Sequence, residues 1–216
     1  MKNLSIYIGI AGALGMAAGD ILLLGQPVSG SEYNISSFGA LEHISSFDAA
    51  IGATVGLVSA FFICFGFWYL KKLFEPVNSK QAMALFIALS SMMFFGAAFH
   101  AGCYFLSVPG LWVDPHYPNP IPVYVLNEFK NQLEFWSYLG VPGFVVGTIL
   151  FFKLALDKRF PTWFKFCNPL IVTGLFLVVL YYIPAPYGGY IRPAFINLGT
   201  ATVFIISFAV RKVPAR

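Results

Sequence analysis

Residues Ala82–Leu106 read AMALFIALSSMMFFGAAFHAGCYFL, a run with no Asp, Glu, Lys or Arg and a single histidine, His100. About 20 mostly apolar residues, each rising 1.5 Å along a helix, cross the hydrocarbon core of a bilayer. The run is therefore long enough to span a membrane as one helix. Five other stretches meet the same criterion: Leu4–Leu24, Ala49–Leu70, Leu133–Leu154, Phe164–Ile183 and Pro193–Val210. The expected fold is all-α, a polytopic bundle of six transmembrane helices forming one domain over residues 1–216. The first stretch follows one lysine, runs on through Asp20 and lacks a small-residue cleavage pattern, so it reads as a retained helix rather than a signal peptide.

Composition supports this assignment. The chain is 58% hydrophobic and 10% charged, whereas soluble domains carry about 25% charged residues. Mean hydropathy is +0.76. These values exclude a disordered regulator and a conventional water-soluble enzyme. Cys64, Cys103 and Cys167 are scattered through apolar sequence without CxxC spacing, so they fit small buried hydrophobes better than a disulfide scaffold.

Basic residues retained near the cytoplasmic leaflet orient a membrane protein. With an inner amino terminus, that side holds Lys2, Lys71, Lys72, Lys80, Lys153, Lys158, Arg159, Lys165, Arg211, Lys212 and Arg216. Only Lys130 and Arg192 fall outside, while most acids (Asp20, Glu32, Glu42, Asp48, Asp114, Glu128 and Glu134) do so. Both termini are expected in the cytoplasm, the setting being a bacterial inner or plasma membrane. The outer loop Ser107–Lys130 interleaves Pro109, Pro115, Pro118, Pro120 and Pro122 with Trp112, Tyr117 and Tyr124, and reads as a stiff lid. The outer turn Pro184–Arg192 contains Gly188-Gly189, which permits positive φ.

Small residues recur at helical spacing: Gly12, Gly15 and Gly19; Gly52 and Gly56; Gly140, Gly143 and Gly147. Such faces let helix backbones approach closely in lipid. Ionisable groups within spans are costly, roughly 2.5–3.5 kcal/mol at mid-helix, and tend to face inward and mark function. Asp20, His100, Glu134 and Asn197 sit at one depth toward the outer side, with Tyr104, Tyr138, Cys103 and Arg192 nearby. A polar pocket in the outer leaflet is the expectation.

The residue types favour acid–base chemistry. An imidazole titrates near neutrality, and a carboxylate partner orients it. His100 is the candidate acid/base, with Asp20 and Glu134 as partners. Asn197, Tyr104, Arg192, Cys103 and Tyr138 are candidate substrate contacts. Cys103 shares a helical face with His100 and is the alternative nucleophile. With three histidines and neither HxxxH nor HExxH, no metal or other cofactor is expected. No phosphate-cradling glycine loop occurs, and no basic, aromatic-interleaved patch points to nucleic acid. Asn34-Ile35-Ser36 fits the glycosylation triplet.

Several short motifs carry a resemblance: Gly19-Asp20, His100-Ala101-Gly102, Asn168-Pro169, and Arg192-Pro193-Ala194 followed by Asn197-Leu198-Gly199. Together they resemble an uncharacterised family of small bacterial multi-pass membrane proteins, a likeness that implies a membrane bundle and no activity. The residue kit is also loosely similar to that of membrane-embedded sterol isomerases and intramembrane fatty-ester hydrolases, although no motif of either aligns residue by residue. The reading is an embedded hydrolase or isomerase, its partners the bilayer and a hydrophobic small molecule. The alternatives are a small-molecule transporter or ligand-binding protein, and a structural membrane subunit.

Overall fold

Helix starts follow local capping chemistry. Ser45 opens α2 (Ser46–Phe74): its hydroxyl accepts from the Asp48 N–H at 3.1 Å and donates to the Asp48 carboxylate at 2.6 Å, satisfying a backbone donor that the first turn leaves orphaned. Asn78 precedes α3 (Ser79–Leu106), and its side-chain oxygen accepts from the Gln81 N–H at 3.0 Å. Asn168 does the same for α5 (Pro169–Tyr181), accepting from the Ile171 N–H at 3.1 Å with Pro169 in the first helical position. Proline suits that position because its missing N–H would have had no partner there. The N-cap reading of Asn168-Pro169 is thus the observed one.

The computed structural model describes residues 4–33, 45–106 and 123–211. These also contain α1 (Leu4–Leu24), α4 (Val123–Ala155), the short α6 (Tyr187–Ile191) and α7 (Phe195–Val210). Turns of 3₁₀ helix, Phe164–Cys167 and Arg192–Ala194, precede α5 and α7. Among the described residues every regular element is helical. The proline-rich part of the expected lid, His43, His116 and the Asn34 triplet lie outside the described residues.

Five helical stretches are long and apolar enough to cross a membrane: Leu4–Leu24, Phe47–Phe74, Ser79–Leu106, Asn127–Ala155 and Tyr187–Val210. The stretch read as a span over Phe164–Ile183 is divided instead. Asn168 and Pro169 restart the chain there, leaving an apolar helix of 13 residues, about 20 Å long. Helix α4 begins ten residues before the span Leu133–Leu154 read from the sequence, because the polar segment Asn127–Gln132 continues the same helix.

Neighbouring helices pack in sequence order, α1 on α2, α2 on α3 and α3 on α4, while α7 packs against both α1 and α5. The α1–α2 seam is the closest. A Cβ added at Gly9 would overlap the Gly66 backbone, one at Gly12 would lie 2.6 Å from Phe62 Cβ, and one at Gly19 would lie 2.9 Å from the Gly52 carbonyl. Without an aqueous drive to associate, membrane helices rely on such close backbone contact. Gly143 and Gly147 play the same part in α4, against Ala88 and Ser91 and against Leu89.

One end of the bundle is filled by aromatic side chains. The Phe74 ring lies 5.2 Å from those of Phe151 and Phe160, and all are joined by Phe164. The outward faces are apolar as well: Phe47, Phe61, Phe94, Leu175 and Tyr182 are exposed. Apolar surface of this extent is abnormal for a monomer in water. With the five long helices, it suggests an integral membrane protein.

Candidate functional site

Asp20 lies one turn from the end of α1, His100 near the end of α3, and Asn197 in the first turn of α7. Their helices run so that these ends coincide, and the three side chains meet. His100 Nε2 is 3.0 Å from Asp20 Oδ1, and Asn197 Nδ2 donates to Asp20 Oδ2 at 2.6 Å. All three are buried, His100 to 2% residual exposure. Each carboxylate oxygen of Asp20 therefore has a donor, the condition under which a buried carboxylate is tolerated.

With Asp20 ionised, the contact assigns the imidazole tautomer. A carboxylate only accepts, so Nε2 must donate. This leaves His100 Nδ1 as the exchangeable position, and it has no hydrogen-bond partner among the described residues; neither has Asn197 Oδ1. Two polar atoms of one buried cluster are thus left with unused hydrogen-bonding capacity, which in native interiors calls for an explanation.

Gly56 of α2 makes room for the ring. A Cβ there would strike His100 Nδ1 first and lie 2.5 Å from both Cγ and Cε1. Contacts this short to both ring carbons place the glycine over the imidazole face, because an approach along the Nδ1 lone pair would leave both carbons farther away. In the sequence Gly56 belongs to a packing motif; that it also seats His100 emerges only when α2 and α3 are brought together.

The other sequence candidates take different positions. Glu134 is not joined to His100: it accepts from the Tyr138 hydroxyl at 2.9 Å, one helical turn along the surface of α4. Tyr138 is well exposed. Cys103 is fully buried among Leu23, Leu24, Ala49, Leu106 and Leu133. Tyr104 is partly exposed, its ring 5.7 Å from that of Phe105. Among the described residues no group of three His, Cys, Asp or Glu side chains could hold a metal.

Arg192 fastens the loop after α1. Its Nη1 donates to the carbonyls of Gly30 and Tyr33, the latter at 3.1 Å, and its guanidinium lies 5.7 Å from the Tyr33 ring and 5.4 Å from that of Tyr181. Gly188 and Gly189 carry no positive φ; they sit in α6. Their value is close approach: the Gly189 N–H donates to the Val28 carbonyl at 2.7 Å, and the Gln26 N–H to the Gly189 carbonyl at 3.2 Å. The loop thus laid down buries Tyr33, a residue with no sequence signal of its own. Burial pushes its phenol well above the usual range, and the nearby Asp20 carboxylate adds to that shift.

Cavities among the described residues include the following two. One is a void of about 10 Å³ between Phe67, Leu89 and Phe204; the other, of about 680 Å³, opens at the far end beside Trp68 and Arg211. Neither borders Asp20, His100 or Asn197. The cover expected over the outer end falls on residues 107–122, outside the described set.

No curated protein and no solved structure matches the chain. A family model does match, over residues 1–212. The resemblance drawn from Gly19-Asp20, His100 and Arg192-Pro193 to an uncharacterised family therefore holds at the level of the whole chain: it belongs to the family of unknown function DUF6796.

Proposed function

We propose that this chain is an integral membrane protein with both termini cytoplasmic, whose working site is the Asp20–His100–Asn197 cluster in the outer half of the bundle. In this reading α5 with its preceding 3₁₀ turn completes a sixth crossing, which keeps both termini on the side that holds most of the basic residues. His100 exchanges a proton at Nδ1, Asp20 orients the ring and stabilises its cation, and Asn197 holds the second carboxylate oxygen. The substrate is a lipid or other hydrophobic small molecule, and the reaction a hydrolysis or isomerisation. The observation that carries the reading is the pairing of a buried Asp–His contact with two unused polar atoms, His100 Nδ1 and Asn197 Oδ1. An oriented imidazole with one nitrogen unoccupied is the arrangement general-base chemistry needs.

A second reading is favoured by Gly56 and by the saturated carboxylate. The same three residues would then lock α1, α3 and α7 together, as buried polar groups do in membrane bundles. The experiment that separates the two is lipid turnover. Purified protein in vesicles of total bacterial lipid is followed by mass spectrometry, wild type against His100→Gln and Asp20→Asn, with thermal melting in parallel. The site reading expects a lipid product that is lost in both variants while melting changes little. A set of variants that melt early, with no lipid changed by the wild type, supports the lock instead.

A further inference from the structure

At the end of the bundle opposite Asp20, α1, α2 with the turn after it, and Arg211 just beyond α7 line the open cavity of about 680 Å³. That volume lies within the range of roughly 300–1,000 Å³ usual for ligand sites. Its walls are mostly apolar, with Ile8, Phe65 and Trp68 contributing, and its mouth carries Lys72, Glu75 and Arg211. Lys71 lies beside it. Glu75 is engaged by both lysines, Lys71 Nζ at 2.6 Å and Lys72 Nζ at 2.9 Å. Among the described residues one acid faces three cations at the mouth, and the lysine contacts hold the Glu75 carboxyl below its usual range. The Trp68 indole stands under both ammonium groups, 4.8 and 5.4 Å from the ring centre. Arg211 reaches toward the Tyr69 hydroxyl. In the sequence Lys2, Lys212 and Arg216 flank the same helix ends.

An apolar trough topped by cations has the polarity of an anionic lipid turned inside out. We propose that this cavity binds one anionic phospholipid of the adjacent leaflet, its phosphate between Lys72 and Arg211 and an acyl chain along Ile8, Phe65 and Trp68. Basic pockets between helices on the cytoplasmic side are the usual seats for such head groups, and the aromatic ring at the boundary suits the interface. A soluble anion would have no use for the apolar wall, and a neutral lipid none for the net charge. The site is separate from Asp20 and His100 and stands or falls without them.

Trp68 lies in the wall and reports on occupancy. Full-length protein carrying Trp112→Phe, Trp136→Phe and Trp163→Phe is placed in phosphatidylcholine vesicles with a minor fraction of chain-brominated phosphatidylglycerol or chain-brominated phosphatidylcholine. The proposal expects at least twofold greater quenching of Trp68 by the anionic lipid. The preference should vanish in Lys72→Gln/Arg211→Gln and persist in Lys72→Arg, which also shows that loss of charge and not of fold is responsible. Equal quenching by the two lipids overturns the proposal, as does a preference that survives the double substitution. Should inorganic phosphate at millimolar concentration abolish the preference, the pocket reads free phosphate and the lipid assignment is wrong.

Discussion

Gly56 and His100 face each other across the α2–α3 interface so closely that a methyl group on the glycine would press into the imidazole at Nδ1. The ring is held from this side by shape and from the other by the Asp20 carboxylate. Position 56 therefore controls the site without a functional group of its own. Gly56→Ala should destabilise the folded protein by about 1–3 kcal/mol, the usual cost of overpacking, and should displace the ring from Asp20. Denaturation in detergent micelles measures the first effect; an unchanged midpoint would mean that the glycine does not seat the histidine.

The Asn197 bond to Asp20 should outweigh the Tyr138 bond to Glu134. Interhelical hydrogen bonds in membrane proteins average about 0.6 kcal/mol and reach about 1.7. The short Asn197 contact is to a carboxylate, and charge-assisted bonds are the stronger kind, so Asn197→Ala should cost toward the upper value. Glu134→Gln should cost less than about 0.5 kcal/mol, because its contact with Tyr138 lies on the exposed surface of α4. Unfolding of the two variants side by side checks the order; a larger loss for Glu134→Gln would reverse the assignment of the site.

The glycines should divide by contact, not by count. Gly12→Leu puts a branched side chain where a Cβ alone would lie 2.6 Å from Phe62, and the α1–α2 seam should open, at a cost of several kcal/mol by the same overpacking argument. Gly174 has nothing within 4 Å of its added Cβ. Gly174→Ala should therefore be neutral or stabilise α5 by up to about 1 kcal/mol, through helix propensity alone. Thermal melting of both variants decides whether close approach is what these positions supply.

Tyr33 gives the fold an alkaline limit. Its phenol is raised in the folded state by burial first and by Asp20 second. In the unfolded chain it would ionise near the ordinary value of 10.0. The folded form thus retains a proton that the unfolded form gives up, so stability is complete below that pH and declines as pH rises above it. Melting temperatures from pH 8 to 11 should fall less steeply for Tyr33→Phe than for the wild type. Parallel curves would show that Tyr33 is not buried beside Asp20.

Much of this was legible in the sequence, because a bilayer imposes one strong rule: long apolar runs must be helices. Leu4–Leu24 is observed with the bounds read from the sequence, and the helix over Ala82–Leu106 starts three residues earlier, at Ser79. The failures occur where that rule has no grip. Asn127–Gln132 is polar and hydropathy stops there, yet a helix continues through it. Phe164–Ile183 is mostly apolar, yet Asn168 and Pro169 interrupt it. Within the site, shared depth singled out Asp20, His100, Asn197 and Glu134 alike. Depth is not azimuth: Leu133 faces α3 against Gly102, while Glu134, its neighbour in the chain, turns toward Tyr138. Tyr33 and the role of Gly56 depend on contacts between distant segments, which no local pattern encodes.

The account rests on His100 being held through Nε2 by Asp20, and nitrogen-15 NMR of the imidazole tests this directly. In a His43→Gln/His116→Gln background only His100 contributes. The account predicts a protonated Nε2 whose proton resonance lies downfield, as expected for a hydrogen bond to a carboxylate. That resonance should move markedly in Asp20→Asn and less in Asn197→Ala. An Nε2 that is unprotonated, or a spectrum indifferent to Asp20→Asn, would contradict it.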